Sequence, residues 1–163
     1  MLAIIAAVAK NNVIGIKNEL PWKLNGDMKY FSKITTGKTV LMGKNTYISI
    51  LNKLGKPLPN RKNVILSRTE KDLSGCETIN NLQNFIENNK GEEIFVIGGE
   101  SIYKQTIPLA DRLYITEVDY NSEGDAFFPK FDINEWQLIS EEKHLKDEKN
   151  ECDYNFKIYD RKK

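Results

Sequence analysis

The chain has 163 residues, enough to bury a sizeable core as one domain over 1–163. Its 24 Lys and Arg nearly cancel 23 Asp and Glu, leaving a formal net charge of +1. A nucleic-acid-binding surface needs a clustered cationic excess, so that class of partner is set aside. Cys76 and Cys152 lie far apart in no metal-ligand spacing and read as reduced thiols of a cytoplasmic protein, a single disulfide being the alternative. The one histidine, His144, stands in a highly charged stretch and reads as a surface residue, which leaves no histidine triad and no metal site.

Residues 2–9 form an uninterrupted apolar run. It is too short to cross a bilayer and no basic segment precedes it, so neither anchor nor signal peptide is expected. Without two-residue alternation it reads as a strand buried on both faces, as in the middle of an α/β sheet. A loop rich in Asn, Gly and Pro follows, from residue 10 to about 25. Residues 26–36 read as a helix with Asp27, Phe31 and Ile34 on one stripe and Gly37 as its stop. Residues 38–42 make a short strand, and Gly43-Lys44-Asn45-Thr46 opens another helix. A Pro/Gly/Asn loop over 52–62 leads into a strand at 63–67. Residues 80–89 read as a helix with Leu82, Phe85 and Ile86 inward. Residues 93–97 are a buried strand ending on Gly98-Gly99, where a helix begins that runs to about Ile107, before Pro108. Three strands follow, at 112–118, 136–140 and 154–159, the last two forming an antiparallel hairpin. This order predicts an α/β fold with a mostly parallel sheet and an antiparallel edge.

Two glycine turns follow strands and open helices: Gly43-Lys44-Asn45-Thr46 and Gly98-Gly99-Glu100-Ser101. Helix starts offer free N–H groups and a positive dipole end, which suit phosphate. Each turn alone is also what any helix start looks like, and neither reads G-x-G-x-x-G. Asp27 is an acid on an inward helical stripe, costly to bury without a partner. Burial would raise its pKa and suit it to handling protons; equally, an acid in the first turn simply complements the helix dipole. Both readings stand on the residues alone. Lys44 and Arg68 lie just past strand ends, where α/β proteins bind ligands. Arg61, in a loop held by Pro57 and Pro59, presents a guanidinium suited to a carboxylate.

Taken in order, these pieces resemble the dihydrofolate reductase family over essentially the whole chain. The stretches that carry the resemblance are Val13-Ile14-Gly15, Leu20-Pro21-Trp22, Asp27 followed by Phe31, and Val40-Leu41-Met42-Gly43-Lys44-Asn45-Thr46. Further along come Pro57-Leu58-Pro59-Asn60-Arg61-Lys62-Asn63, Val96-Ile97-Gly98-Gly99 followed by Tyr103, and Gly124-Asp125-Ala126-Phe127-Phe128-Pro129. The resemblance implies an eight-stranded, mostly parallel sheet with an antiparallel C-terminal hairpin and four flanking helices. It also implies a cis bond between Gly98 and Gly99.

The implied activity is reduction of dihydrofolate to tetrahydrofolate with NADPH, an oxidoreductase step on a CH–NH group that supplies one-carbon metabolism. Antifolates such as diaminopyrimidines and methotrexate-like molecules are the implied inhibitors. Asp27 matches the carboxylate that hydrogen-bonds the pteridine, with Thr116 as its hydroxyl neighbour; Leu20 and Trp22 complete the catalytic set. Ile5, Ala7, Met28, Phe31, Ile50, Leu58 and Ile97 match walls of the substrate pocket, and Arg61 the clamp on the glutamate α-carboxylate. Cofactor positions are Ala7, Ile14, Asn18, Leu20, Gly43, Lys44, Asn45, Thr46, Leu66, Ser67 and Arg68. The second half of that set is Ile97, Gly98, Gly99, Glu100, Ser101, Ile102 and Tyr103. Lys44, Ser67 and Arg68 match the pocket for the adenosine 2′-phosphate. The chain departs from the commonest pattern with Lys44 where Arg is frequent, Leu20 where Met is common, and a longer stretch at 51–56. A monomer in the cytoplasm is expected. The rival readings are a related pteridine or pyrimidine reductase, against which Arg61 and the Asp27–Thr116 pair argue, and an idle NADP-binding module, against which Asp27 argues.

Overall fold

The computed structural model describes residues 1–69, 73 and 75–163. In chain order the elements are β1 (Leu2–Val8), β2 (Val13–Gly15), α1 (Asn25–Thr35), β3 (Thr39–Gly43), α2 (Lys44–Leu54), β4 (Lys62–Leu66) and β5 (Glu77–Ile79). Then come α3 (Leu82–Asn88), β6 (Ile94–Gly98), α4 (Glu100–Thr106), β7 (Arg112–Val118), β8 (Ala126–Phe127), β9 (Trp136–His144) and β10 (Tyr154–Arg161). Eight strands form one sheet in the order β5-β4-β3-β6-β1-β7-β10-β9. Neighbours from β5 to β7 run parallel, and β10 pairs antiparallel with both β7 and β9.

Side-chain parity splits the core. Leu2, Ile4 and Ala6 of β1 face one side, where Phe85 of α3 and Ile102 and Tyr103 of α4 cover them. Ala3 and Ile5 face the other, under Tyr47 of α2 and Tyr30, Phe31 and Ile34 of α1. With helices on both faces, the central strands need no polar face, which is why β1 reads as a continuous apolar run.

The expected helices and the C-terminal hairpin are present. The 10–25 segment is not all loop: β2 pairs antiparallel with β8 in a small second sheet, a pairing too short for either strand to show periodicity. The second helix continues to Leu54 instead of stopping at 52, because Gly55, at φ 72°, is the residue that ends it. β5 was not expected; Glu77-Thr78-Ile79 becomes a strand only by pairing with β4. β9 runs four residues beyond 140 because β10 pairs with it as far as His144. His144 is partly exposed at the end of β9, as a surface residue would be. It stacks on Tyr154 with ring centroids 4.9 Å apart, and its Nε2 lies 2.8 Å from Glu142 Oε1.

The sheet positions the start of α1. Asn25 N donates to Lys149 O, and Gly26 N donates to Asn150 Oδ1 at 2.9 Å. A Cβ at Gly26 would strike the hydroxyl of buried Tyr154 and lie 2.9 Å from its Cζ. The Gly26→Ala protein should therefore lose about 1–3 kcal/mol to overpacking, more than the roughly 1 kcal/mol that Ala gains in helix propensity. Urea unfolding measures it, and an unchanged or raised midpoint would show that α1 does not need glycine there.

Candidate active site

The ends of β1, β3, β4, β6 and β7 open on one edge of the sheet, where α/β folds place ligands. Ala7 of β1 pairs with Thr116 of β7. Thr116 is buried, and its Oγ1 donates to Asp27 Oδ1 at 2.7 Å. Asp27 thus reaches from the first turn of α1 across to the sheet. Burial pushes its carboxyl above the usual carboxylate range, and the Thr116 bond opposes that shift only in part. The dipole reading of Asp27 does not describe where its carboxylate points.

Around it, Ile5, Phe31, Ile50, Leu58 and Ile97 belong to one apolar cluster between α1, α2 and the sheet. Met28 sits beside Asp27 but is 63% exposed. Arg61 stands at the far end of this surface. Its Nε donates to Pro59 O at 2.9 Å and its Nη1 to Thr35 Oγ1 at 3.0 Å, with the guanidinium carbon 5.9 Å from the Phe31 ring centre. Buried Asn63, the last residue of the Pro57–Asn63 motif and assigned no role there, holds this loop. It accepts from Leu58 N and donates to the carbonyls of Leu58 and Arg61. An amide at the first buried position of β4 was the available signal.

The two glycine turns meet. A Cβ on Gly43 would lie 3.9 Å from Gly98 O and Gly99 N, and one on Gly99 would lie 3.4 Å from Thr46 Oγ1. The Gly98–Gly99 peptide is cis, and Gly98 has φ 122°, closed to ordinary side chains. Neither Gly43 nor Gly99 caps its helix through a side chain, and the starts of α2 and α4 lie beside each other. This cradle fits a dinucleotide's pyrophosphate. Leu66 pairs with Gly43, which sets Ser67 and exposed Arg68 next to Lys44 and Asn45 at the same edge. Ser101 is exposed, whereas Ile102 and Tyr103 turn inward. The Tyr103 hydroxyl donates to Ile5 O at 2.8 Å, which fixes α4 to β1.

The segment from Asn11 to Leu24 lies along the site. Ile16 and Glu19 exchange both backbone hydrogen bonds around Lys17 and Asn18, whose positive φ values make a tight hairpin turn. Lys17 N donates to Asp125 Oδ2, Asp125 N donates to Gly15 O, and Ser49 Oγ donates to Asn18 O at 2.8 Å. Phe127 N donates to Glu100 Oε1 at 2.6 Å, tying β8 to the start of α4. At the other end Lys23 N donates to Glu151 Oε1, and Glu151 N to Lys23 O. Ile14 is half-buried in β2, and Leu20, between the ties, is 44% exposed. Trp22 is buried, and its Nε1 makes no hydrogen bond among the described residues. Ser49, Asp125 and Glu151, and the side-chain role of Glu100, were not foreseen. Asp125 and Glu100 stood in motifs, but nothing there told which backbone group each would hold.

A family model described as dihydrofolate reductase matches residues 1–161. The dihydrofolate reductase of Bacillus subtilis is 44% identical over 99% of this chain and 95% of its own length. That of Haemophilus influenzae is 39% identical over 98% of each. Among solved structures, a dihydrofolate reductase from Enterococcus faecalis complexed with NADP(H) and RAB-propyl superposes with a TM-score of 0.91. It is 31% identical and covers 100% of this chain and 97% of that one. Joined to the Asp27–Thr116 hydrogen bond and to the two facing glycine turns, these likenesses place the chain in the dihydrofolate reductase family.

Proposed function

We propose that this chain reduces dihydrofolate to tetrahydrofolate with NADPH through a site organised on Asp27. The observation that carries this reading is the Asp27–Thr116 hydrogen bond in a desolvated pocket beside the Gly43 and Gly98-Gly99 cradle. NADPH, when bound, supplies the hydride that goes to pteridine C6. Gly43, Thr46, Gly98, Gly99 and Ser101 hold its pyrophosphate by backbone and hydroxyl donors, and Lys44, Ser67 and Arg68 take the 2′-phosphate. Asp27 accepts hydrogen bonds from the pteridine and favours its protonated form. The proton reaches N5 from water admitted beneath Leu20, since Asp27 grips the other side of the ring. The 11–24 segment closes the site to bulk water.

Arg61 grips the glutamate α-carboxylate. Its hydrogen bonds to Pro59 and Thr35 hold the guanidinium in place before any ligand arrives. That favours a substrate with a carboxylate tail over a bare pteridine or pyrimidine. The unit we propose is a single-domain cytoplasmic monomer: every group named comes from one chain, and both cysteines are unpaired. Diaminopyrimidine antifolates would compete by offering Asp27 the same donors as the pteridine. Among the described residues, no helix is long and apolar enough to cross a membrane.

Asp27→Asn keeps the shape and loses the charge. Its single-turnover hydride transfer at neutral pH should fall by roughly 10² or more, with less loss at low pH where solvent protonates the substrate. The same change should stabilise the ligand-free protein. Burial raises the pKa of Asp27 in the folded state above the ordinary carboxylate value, so the ionised form burdens the fold at neutral pH. The stability gain over wild type should vanish as pH drops below about 4, where Asp27 is protonated in both states. Wild-type hydride-transfer rates in a folded Asp27→Asn protein at neutral pH would falsify this assignment.

Arg61→Ala should raise KM for dihydrofolate about tenfold or more with kcat little changed, because the tail contact is alike in ground and transition states. A pteridine lacking the glutamate should be nearly indifferent; equal damage to both would mean that Arg61 acts through the fold. Glu100→Ala removes the acceptor that ties β8 to α4. Hydride transfer should slow by about threefold to tenfold, with dihydrofolate affinity in the absence of NADPH unchanged. An unaltered single-turnover rate would show that this tie does not support the closed segment.

A further inference from the structure

We propose that Tyr30 is a positioning residue for Asp27: stacked on Phe156, its ring seats the first turns of α1 on the sheet and keeps Asp27 within reach of Thr116. Its effect on the reaction rests on the reading of Asp27 as the pteridine anchor; its effect on the carboxyl of Asp27 does not. Tyr30 follows Asp27 by three residues, so the two side chains leave α1 as neighbours on its surface. The Tyr30 ring lies flat against that of Phe156, with centroids 3.9 Å apart and planes 9° apart. Phe156 is buried on β10 and stands in register with Thr116 of β7. The stack is therefore made one strand away from the hydrogen bond that Thr116 donates to Asp27.

Gly26 against Tyr154 and Asp27 on Thr116 are adjacent in the chain, so together they hold α1 at one point. A helix held at one point can still roll. Tyr30 on Phe156, one turn later, supplies the second point. Phe156 is itself backed: its ring centre is 5.3 Å from that of Tyr154 and 4.9 Å from that of His144. Tyr30 also packs against two apolar clusters, the one beneath α1 and α2 and the one around Trp22 and Leu24. The Thr116 bond is 2.7 Å long, and a shift of about 1 Å would break it. The hydroxyl of Tyr30 is not required. Burial pushes it up to about 12, and Tyr114, Asp27 and Glu142 add to the rise, so it stays neutral while Asp27 titrates. The ring is what is needed, and phenylalanine supplies it.

The test pairs Tyr30→Leu, which removes the stack, with Tyr30→Phe, which keeps it. In the ligand-free protein the titration midpoint of Asp27 is followed through the NMR signal of its carboxyl carbon. It should fall toward the ordinary carboxylate range in Tyr30→Leu and stay in place in Tyr30→Phe. The sign follows from the causes: burial acts on Asp27 more strongly than the opposing Thr116 bond, and a loosened helix admits water. The phenols of Tyr103 on α4 and Tyr154 on β10, which also feel Asp27, are raised too and stay neutral. Glu142 and Asp147, which act on Tyr154, are the same in every variant.

Single-turnover hydride transfer should slow by about tenfold in Tyr30→Leu and less than about twofold in Tyr30→Phe, with NADPH affinity as in wild type. In an Asp27→Asn background Tyr30→Leu should add less than about twofold, because the group it positions is gone. Phe156→Leu removes the same stack from the sheet side and should reproduce the effect, which keeps the test open if Tyr30→Leu does not fold. Phe131→Leu thins an aromatic cluster on the other face of the sheet and controls for a general loss of stability. It should leave both readings as in wild type. An unmoved Asp27 midpoint in Tyr30→Leu and Phe156→Leu would overturn the proposal, as would equal damage from Tyr30→Phe or Phe131→Leu. If the midpoint moves but Asp27→Asn alone leaves hydride transfer unchanged, the anchor reading fails and the positioning of the carboxyl stands.

Discussion

A carboxylate largely withdrawn from water, with the Thr116 hydroxyl donating to it, is an expensive thing to build. Asp27 is in that position, and much of the surrounding structure makes it possible. Thr116 can donate to it only because β7 lies next to β1 with Ala7 and Thr116 in register. Asp27 can reach Thr116 only because α1 starts where the turn at Asp147–Asn150 holds Asn25 and Gly26. Tyr154 can press on that start only because residue 26 has no side chain. The antiparallel hairpin, far from the cofactor cradle in sequence, thereby sets the position of the acid. The acid is left under-satisfied, with a raised pKa, and that makes it receptive to a ligand that brings donors.

The cradle answers a different constraint. Phosphate needs close approach to backbone N–H groups, and side chains are in the way. The chain clears them at Gly43, Gly98 and Gly99, on the neighbouring strands β3 and β6. Because α2 and α4 leave those strands on opposite faces of the sheet, their starts converge at its edge while their bodies cover different halves of the core. The Tyr103 hydroxyl on Ile5 O then ties the cradle to the strand that borders Asp27. The Asp27 pocket and the glycine cradle are joined through β1, whose side chains are too small or too buried to contribute chemistry of their own.

What the residues made legible follows from where the information sits. Elements fixed by local periodicity or by glycine stops, such as β1, α1 and the start of α4, were readable from their own residues. β5, β2 and β8 were not, because each is two or three residues long and exists through its partner strand. Asp27 stood out as an acid on an apolar stripe, yet burial and dipole readings were equal until Thr116 was seen beside it. Thr116, unremarked by composition, entered only through the family resemblance. Asn63 and Asp125 stand in motifs and Glu151 in none, but no motif says what each would hold, since each acts on a backbone group brought near by the fold.

The segment over 11–24 shows how such ties combine. One end is bound by Asp125 to Lys17 and Gly15, the other by Glu151 to Lys23, and Ser49 of α2 holds the turn between them at Asn18. Leu20 is left as the exposed span between fixed points. Asp125 is itself placed by β8, which Glu100 fastens to the first residue of α4. The covering segment is therefore anchored to both helices whose starts form the cradle, and to the hairpin that sets α1. A ligand that ordered the cradle would stiffen the anchors of the cover without touching Leu20. Closure over the substrate would then depend on the cofactor through hydrogen bonds already present in the chain.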